Sequence, residues 1–332
     1  MGLLDHRARL SEHGAKFKRK LIAFGEMMHQ LPDMKRFLQI LMGFVFGICM
    51  ASAAPLQVSA LHPLMADLAR QVGGDRVRVF DLVGDGGNPH RFEPRPADMA
   101  KMRDSVLVLA AGKNMESYLG RLRDSLEGVT ILEVGRTIPS LTVGKDAVYS
   151  CCPNHGSGSL DPHWWHGISN MSRAARVVAT ALAEKDPDGK AIYQANASAY
   201  GKRLDELKRW AKSELAKVPR GQRKLVTAHN AFAYFAQEFG FQVIAVAGLN
   251  QEQDTAPKEL AATIEAVRKS GVSAVFPEDG AGKKSLESIS KATGAKIASP
   301  LIADGNGHGK SSGFEGMIRH NVTSITQALA AR

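Results

Sequence analysis

The feature that most restricts this chain is one helical face between residues 187 and 217. Tyr200, Leu204, Leu207, Ala211 and Leu215 step by four, three, four and four, the spacing of a single apolar stripe on an α-helix. About 30 residues at 1.5 Å each make a rod of roughly 45 Å. A rod that long can run the height of a two-lobed molecule. On its N-terminal side short apolar runs at 56–60, 77–82 and 106–111 alternate with helical patterns at 63–72 and 96–103, and a helix at 169–184 leads into the rod. The run at 106–111 is apolar at every position, which favours a parallel strand covered on both faces. The helix at 96–103 opens with Pro96, where a missing N–H costs nothing. On the C-terminal side the alternation restarts, with strands at 225–227, 242–247, 274–276 and 297–298 and helices at 231–239, 257–270, 283–293 and 313–330. Strand–helix alternation of this kind predicts an α/β fold. The expected architecture is two Rossmann-like lobes with parallel sheets, residues 54–186 and 218–332, joined by the helix 187–217.

Residues 1–53 stand apart. Lys35 and Arg36 precede an apolar run from Phe37 to Cys49, followed by Ala51-Ser52-Ala53. A basic start, a short apolar core and an A-x-A site predict a signal peptide, cleaved after Ala53 or Ala54. Met34 opens that pattern, so residues 1–33 read as an over-long start. The apolar run is short for a bilayer span, and Ile48 before Cys49 argues against a lipidated cysteine. The expected location is therefore the periplasm. The chain carries a formal charge of +10. Residues 1–53 hold eight Lys/Arg against four Asp/Glu, which leaves 35 against 29, or +6, for the remainder. No basic run interleaved with aromatics follows residue 53, so no nucleic-acid partner is expected. In the remainder the only cysteines are the adjacent Cys151 and Cys152, which can bridge each other only with strain. They cap a loop, pair between chains or join His155 at a metal.

In open α/β sheets ligands bind beyond the carboxyl ends of strands. Three polar residues follow strands there: His90 in "GGNPHRF", His229 in "VTAHNAF" and Asp304 in "SPLIADGNG". A fourth, His163 in "LDPHWWHG", precedes a helix. Their intervals of 73, 66 and 75 residues are too wide for a zinc finger, which uses local pairs. They suit a site between two lobes, with two groups from each. Three imidazoles and one carboxylate can hold Zn²⁺ tetrahedrally, and nitrogen donors bind zinc more tightly than manganese.

The stretches "NPHRFEPRPADM", "GKNMESYL", "DPHWW", "TAHNAFAYFAQEFGF" and "SPLIADGNG" resemble, as an ordered set, the metal-binding receptors of bacterial ABC importers (cluster A-I). The likeness runs from about residue 56 to residue 330. It implies two α/β lobes on one rigid helix, with His90, His163, His229 and Asp304 as ligands in the interlobe cleft. It also implies a non-enzymatic, monomeric receptor that carries Zn²⁺ to a membrane permease, with Mn²⁺ as the other cargo and a periplasmic metal donor as a further partner. Manganese members of that family often carry a carboxylate at the third ligand position, where this chain has His229. Zinc members often carry a histidine-rich loop before the second ligand, where this chain has only His155. Gly305 replaces the bulkier residue common after the last ligand, so His308, Glu278 and Asp279 are the substitutes for Asp304.

Other readings remain. A zinc hydrolase needs three protein ligands and an open water position, with Glu278 or Asp279 as its base. An adhesin of the same fold has no marker in the sequence. The stretch "GNGHGKSS" imitates a phosphate loop, but residue 304 is Asp where that motif needs Gly. Trp164 and Trp165 are expected to pack the lobe interface and shield the metal, and Glu93 to cap or to orient a histidine.

Overall fold

Four short runs of the first half form one parallel sheet, with its two central strands the most buried and its two edge strands only partly covered. In the computed structural model, which describes residues 54–84, 86–142, 160–247, 257–278, 283–305 and 307–330, these are β1 (Leu56–Ala60), β2 (Val77–Asp81), β3 (Leu107–Ala110) and β4 (Ile131–Glu133). Residues 1–53, expected to be a signal peptide, and Cys151, Cys152, His155 and Asp279 lie outside the described residues. The strand order is β2-β1-β3-β4. Val58 sits opposite Val79 on one side and Leu107 on the other, and Val108 opposite Ile131. Every residue of β3 is buried.

Helix α1 (Pro63–Gly73) starts where the sequence places it. Pro63 takes the first turn, and the His62 ring caps it by accepting the Leu64 N–H at 3.1 Å. Its buried stripe of Leu64, Met65, Leu68, Ala69 and Val72 faces the core at helical spacing. Helix α2 (Pro96–Arg103) coincides with the expected range. Helix α3 (Leu119–Ser125) and strand β4 are additions that the sequence pattern did not reveal.

Helix α4 (Ile168–Lys185) runs against α5 (Lys190–Leu215). The long rod is thus realised as 26 helical residues, roughly 39 Å at 1.5 Å per residue. Pro187–Gly189 form a separate tight turn, in which the Asp186 side chain accepts the Gly189 N–H. The stripe Tyr200, Leu204, Leu207, Ala211 and Leu215 is buried as one face.

The second half repeats the topology of the first in shorter pieces. Strand β5 (Lys224–Thr227) pairs with β6 (Gln242–Ala245), and β7 (Ala274–Val275) with β8 (Lys296–Ile297), all parallel. A parallel bridge between Thr227 and Phe276, with the Phe276 N–H on the Val226 carbonyl, joins the pairs in the order β6-β5-β7-β8. Helices α6 (Ala233–Phe239), α7 (Pro257–Ser270), α8 (Lys283–Thr293) and α9 (Gly313–Leu329) complete it. The last of these packs against α5 and α1. One apolar cluster therefore extends from Val58 through α4 and α5 to Leu329. Among the described residues no helix is long and apolar enough to cross a membrane.

Candidate metal centre

Each of the four side chains singled out in the sequence is placed by local chemistry. His90 lies in the loop between β2 and α2. Gly84 and Gly86 adopt positive φ there (72° and 71°), a conformation with little steric cost only for glycine. The Asn88 side chain then accepts the His90 N–H at 2.9 Å, a local turn of the kind asparagine favours. His163 is anchored just upstream, where Leu160 bridges Thr142 and the Asp161 N–H donates to the Leu141 carbonyl. Asp161 Oδ1 accepts from both the backbone N–H and Nδ1 of His163, each at 2.9 Å.

His229 stands two residues beyond β5, where Thr227 Oγ1 donates to its carbonyl at 2.8 Å. Its backbone N–H donates to Glu278 Oε1 at 3.2 Å, and its Nδ1 lies on Glu278 Oε2. Asp304 follows Leu301–Ala303, a segment pinned by Asn321, whose amide bonds both the N–H and the carbonyl of Ile302. Gly305 has a physical reason. Its φ is 79°, and a Cβ there would sit 2.6 Å from Leu64 Cγ of α1. Glycine at this position lets the loop lie on α1.

The four residues, spread over 214 positions from 90 to 304, converge. One donor atom from each of His90, His163, His229 and Asp304 lies within 4.8 Å of all the others. His90 Nε2 is 3.4 Å from His163 Nε2 and 3.4 Å from Asp304 Oδ1. His163, His229 and Asp304 are buried, and the His90 side chain is 5% exposed. His229 Nε2 is buried and has no hydrogen-bond partner among the described residues. An orphaned ring nitrogen in such company calls for an explanation, and a cation at the centre supplies one.

The electrostatics divide the site. Burial holds His163 well below its ordinary pKa, and His229 and His90 add to the fall. Burial opposes charge on His229 too, yet the Glu278 carboxylate outweighs it and the pKa rises. Burial would raise Asp304, but His90, His229 and His163 dominate and leave it ionised far below the usual carboxylate range. Burial lifts Asp161 to about 7 against the His163 N–H that it accepts.

The substitutes for Asp304 take other places. Glu278 stands behind His229. His308 is exposed and lines a cavity of about 100 Å³ with Asp67, Asp81 and Gly305. Glu93 does not orient a histidine; it is exposed, at the rim of a separate cavity beside Tyr118. Asp161 does that work for His163. Trp164 and Trp165 are fully buried, and their indole N–H groups donate to Ala111 at 3.0 Å and Ala303 at 2.8 Å. Two further buried histidines have no sequence pattern that marks them. His62 lies on Trp165 with ring centroids 4.3 Å apart, and His166 on Phe232 at 4.4 Å. Burial lowers them to about 3 and about 4. The phosphate-loop look-alike fails structurally as well, because Asp67 already accepts the Phe314 N–H at the start of α9.

Two parallel sheets about one long helix, with three imidazoles and a carboxylate gathered on the connecting loops, define a metal-binding receptor of the two-lobed kind. Residues 58–328 match the family described as ZnuA, zinc-uptake complex component A, periplasmic, and the chain belongs to that family. It is the metal-binding component of an ABC importer, acts outside the cytoplasm and is not an enzyme. The chain is 30% identical over 278 residues to the manganese-binding lipoprotein MntA of Halalkalibacterium halodurans, covering 83% of this chain and 89% of that protein. It is 26% identical over 281 residues to the manganese ABC transporter substrate-binding lipoprotein PsaA of Streptococcus pneumoniae, covering 84% of this chain and 91% of that protein. Its fold is similar to that of the periplasmic zinc binding protein TroA from Treponema pallidum, with a TM-score of 0.75, 25% identity, and coverage of 84% of this chain and 100% of that one.

Proposed function

We propose that this protein captures one Zn²⁺ in the periplasm, on His90, His163, His229 and Asp304, and delivers it to the membrane permease of its importer. The observation that carries the reading is the donor set: three imidazole nitrogens and one carboxylate oxygen within 4.8 Å of one another. Four such donors suit tetrahedral zinc. Manganese favours carboxylate, carbonyl and water oxygens, and this cluster offers one carboxylate. Nitrogen ligands must shed protons before binding, and the low pKa of His163 leaves that ring ready. Export rests on the basic and apolar segment ahead of residue 54. The lobe limits 54–186 and 218–332, with 187–217 as connector, belong to the same proposal.

The second reading is manganese, favoured by the names of the relatives from Halalkalibacterium halodurans and Streptococcus pneumoniae. Competition titration of the purified, metal-stripped protein separates the two. Zinc bound at least about tenfold more tightly than manganese, a gap of about 1.4 kcal/mol, supports the zinc reading; the reverse order replaces it with the manganese one.

A further inference from the structure

Two of the three histidines have a carboxylate behind the ring, and the two carboxylates are differently employed. Glu278 spends both oxygens on one residue, Oε1 on the His229 N–H at 3.2 Å and Oε2 on Nδ1. It is fully enclosed, with its side chain 1% exposed, and His229 is its only ion-pair partner among the described residues. Asp161 uses a single oxygen for both His163 contacts, while Oδ2 has no hydrogen-bond partner among the described residues. The buried Lys113 ammonium, tied to the Ile138 carbonyl at 2.8 Å, acts electrostatically on Asp161. The undivided negative charge therefore stands behind His229.

We propose that Glu278 is a specificity-determining residue, which sets the preference of this site for Zn²⁺ over Mn²⁺ through His229. A carboxylate on Nδ1–H fixes the tautomer, aims Nε2 and makes it a stronger donor. Donor strength on nitrogen matters more to zinc, which lies higher in the Irving–Williams order, than to manganese. The two-point clamp also stops His229 from swinging to accommodate a larger, more highly coordinated ion. The inference rests on the proposal that the four-residue cluster binds metal.

The test compares wild type with Glu278→Gln, which keeps the shape and removes the charge, and uses Asp161→Asn as the reference. Dissociation constants for Zn²⁺ and Mn²⁺ are measured by chelator competition on the full mature chain. The expected result for Glu278→Gln is a zinc constant raised about 10- to 100-fold and a manganese constant changed less than about threefold, so that the ratio of the two falls. Asp161→Asn should move that ratio less. The visible spectrum of the protein at saturating Co²⁺ gives a reading independent of affinity: the bands should keep four-coordinate intensity and move to longer wavelength in Glu278→Gln. Equal weakening of both metals, or an unmoved ratio with unmoved Co²⁺ bands, overturns the role of Glu278 and leaves the site itself standing. A wild-type protein that binds neither Zn²⁺ nor Co²⁺ overturns the site and this inference together.

Discussion

His229 and His90 belong to one cluster yet are held by opposite means. His229 leaves the end of a strand after two residues, with Thr227 on its carbonyl and Glu278 on its N–H and ring. His90 sits in a loop with two glycines at positive φ, and only its backbone N–H is tied locally, to Asn88. Among the described residues the one carboxylate that touches the His90 ring is Asp304, itself a candidate ligand. A site made of one prepared half and one loop-borne half can keep its geometry while still admitting and releasing an ion. The carboxylate behind the ring marks the difference better than burial does, since both side chains are nearly enclosed.

The widest separation between the halves should appear on truncation. Zinc sites of about 10–16 kcal/mol shared over four ligands give about 3 kcal/mol each, or roughly 100-fold in affinity. His90→Ala should lose about that. His229→Ala should lose about 1,000-fold or more, because it also forfeits the donor strength that Glu278 lends that ring. Chelator competition measures both. Equal losses would break the distinction between the halves.

The two bystander histidines offer a contrast of stability. Burial lowers His166 to about 4 from 6.5. A histidine with a lowered native pKa binds fewer protons than its unfolded form between those values, so its contribution to stability falls as pH drops from 6.5 to about 4. Asp161 and Glu116, both raised to about 7 by burial, act with the opposite sign over much of that window. The slope of the wild type alone is therefore uninformative, and the difference from a variant is needed. Metal-free His166→Phe should gain on wild type by about 1.4 kcal/mol per pH unit, to roughly 3 kcal/mol near pH 4. Urea unfolding at several pH values reads it. A constant difference across the window would show that His166 is not held neutral.

What the sequence disclosed of this arrangement was the part written locally. The apolar run of β3 and the stripe of α5 bury as their periods require, and Pro63 and Pro96 mark true helix starts. His90, His163, His229 and Asp304 could be chosen because three follow strands and all lie in a recognisable ordered set. Their convergence depends on both sheets sharing one strand order, which two-residue strands such as β7 and β8 do not announce. Helix α3 has a polar face and only seven residues, and β4 only three, too few to show a period. Glu278 is 49 residues from the histidine it holds, so no spacing rule links them. Asp161 is two residues from His163, but its purpose follows from a turn of the backbone that spacing alone does not reveal. Glu93, expected to cap or to orient a histidine, is exposed, because Pro94 and Arg95 lead the chain into α2.

Proton competition should separate two of the prepared rings from each other. The Glu278 carboxylate raises His229 despite burial, whereas burial keeps His163 neutral. Below its raised pKa, His229 carries a proton that zinc must displace; His163 carries none in the same range. Zinc affinity should thus fall as pH falls through and below that raised value, by up to about tenfold per pH unit for one displaced proton. Titrations between pH 5.5 and 7.5 test the slope. A flat profile would mean that His229 is not the proton-bearing ring.

The smallest effect should come from the link between the halves rather than from either one. Trp165 lies edge-on to His163, with ring centroids 5.3 Å apart, and donates its indole N–H to the Ala303 carbonyl at 2.8 Å, one residue before Asp304. It thereby spaces a candidate ligand of the first half from a candidate ligand of the second. Trp165→Phe keeps most of the packing and removes the donor, leaving a buried carbonyl short of a partner, at a cost of about 1–2 kcal/mol. If the bond serves spacing, part of that loss appears as zinc affinity weakened about threefold to tenfold, with faster release in stopped-flow exchange. Unchanged affinity and release, with a lowered melting temperature alone, would reduce Trp165 to core packing. The two halves would then keep their distance through the backbone and through Asn321, which grips Ile302 on both its N–H and its carbonyl.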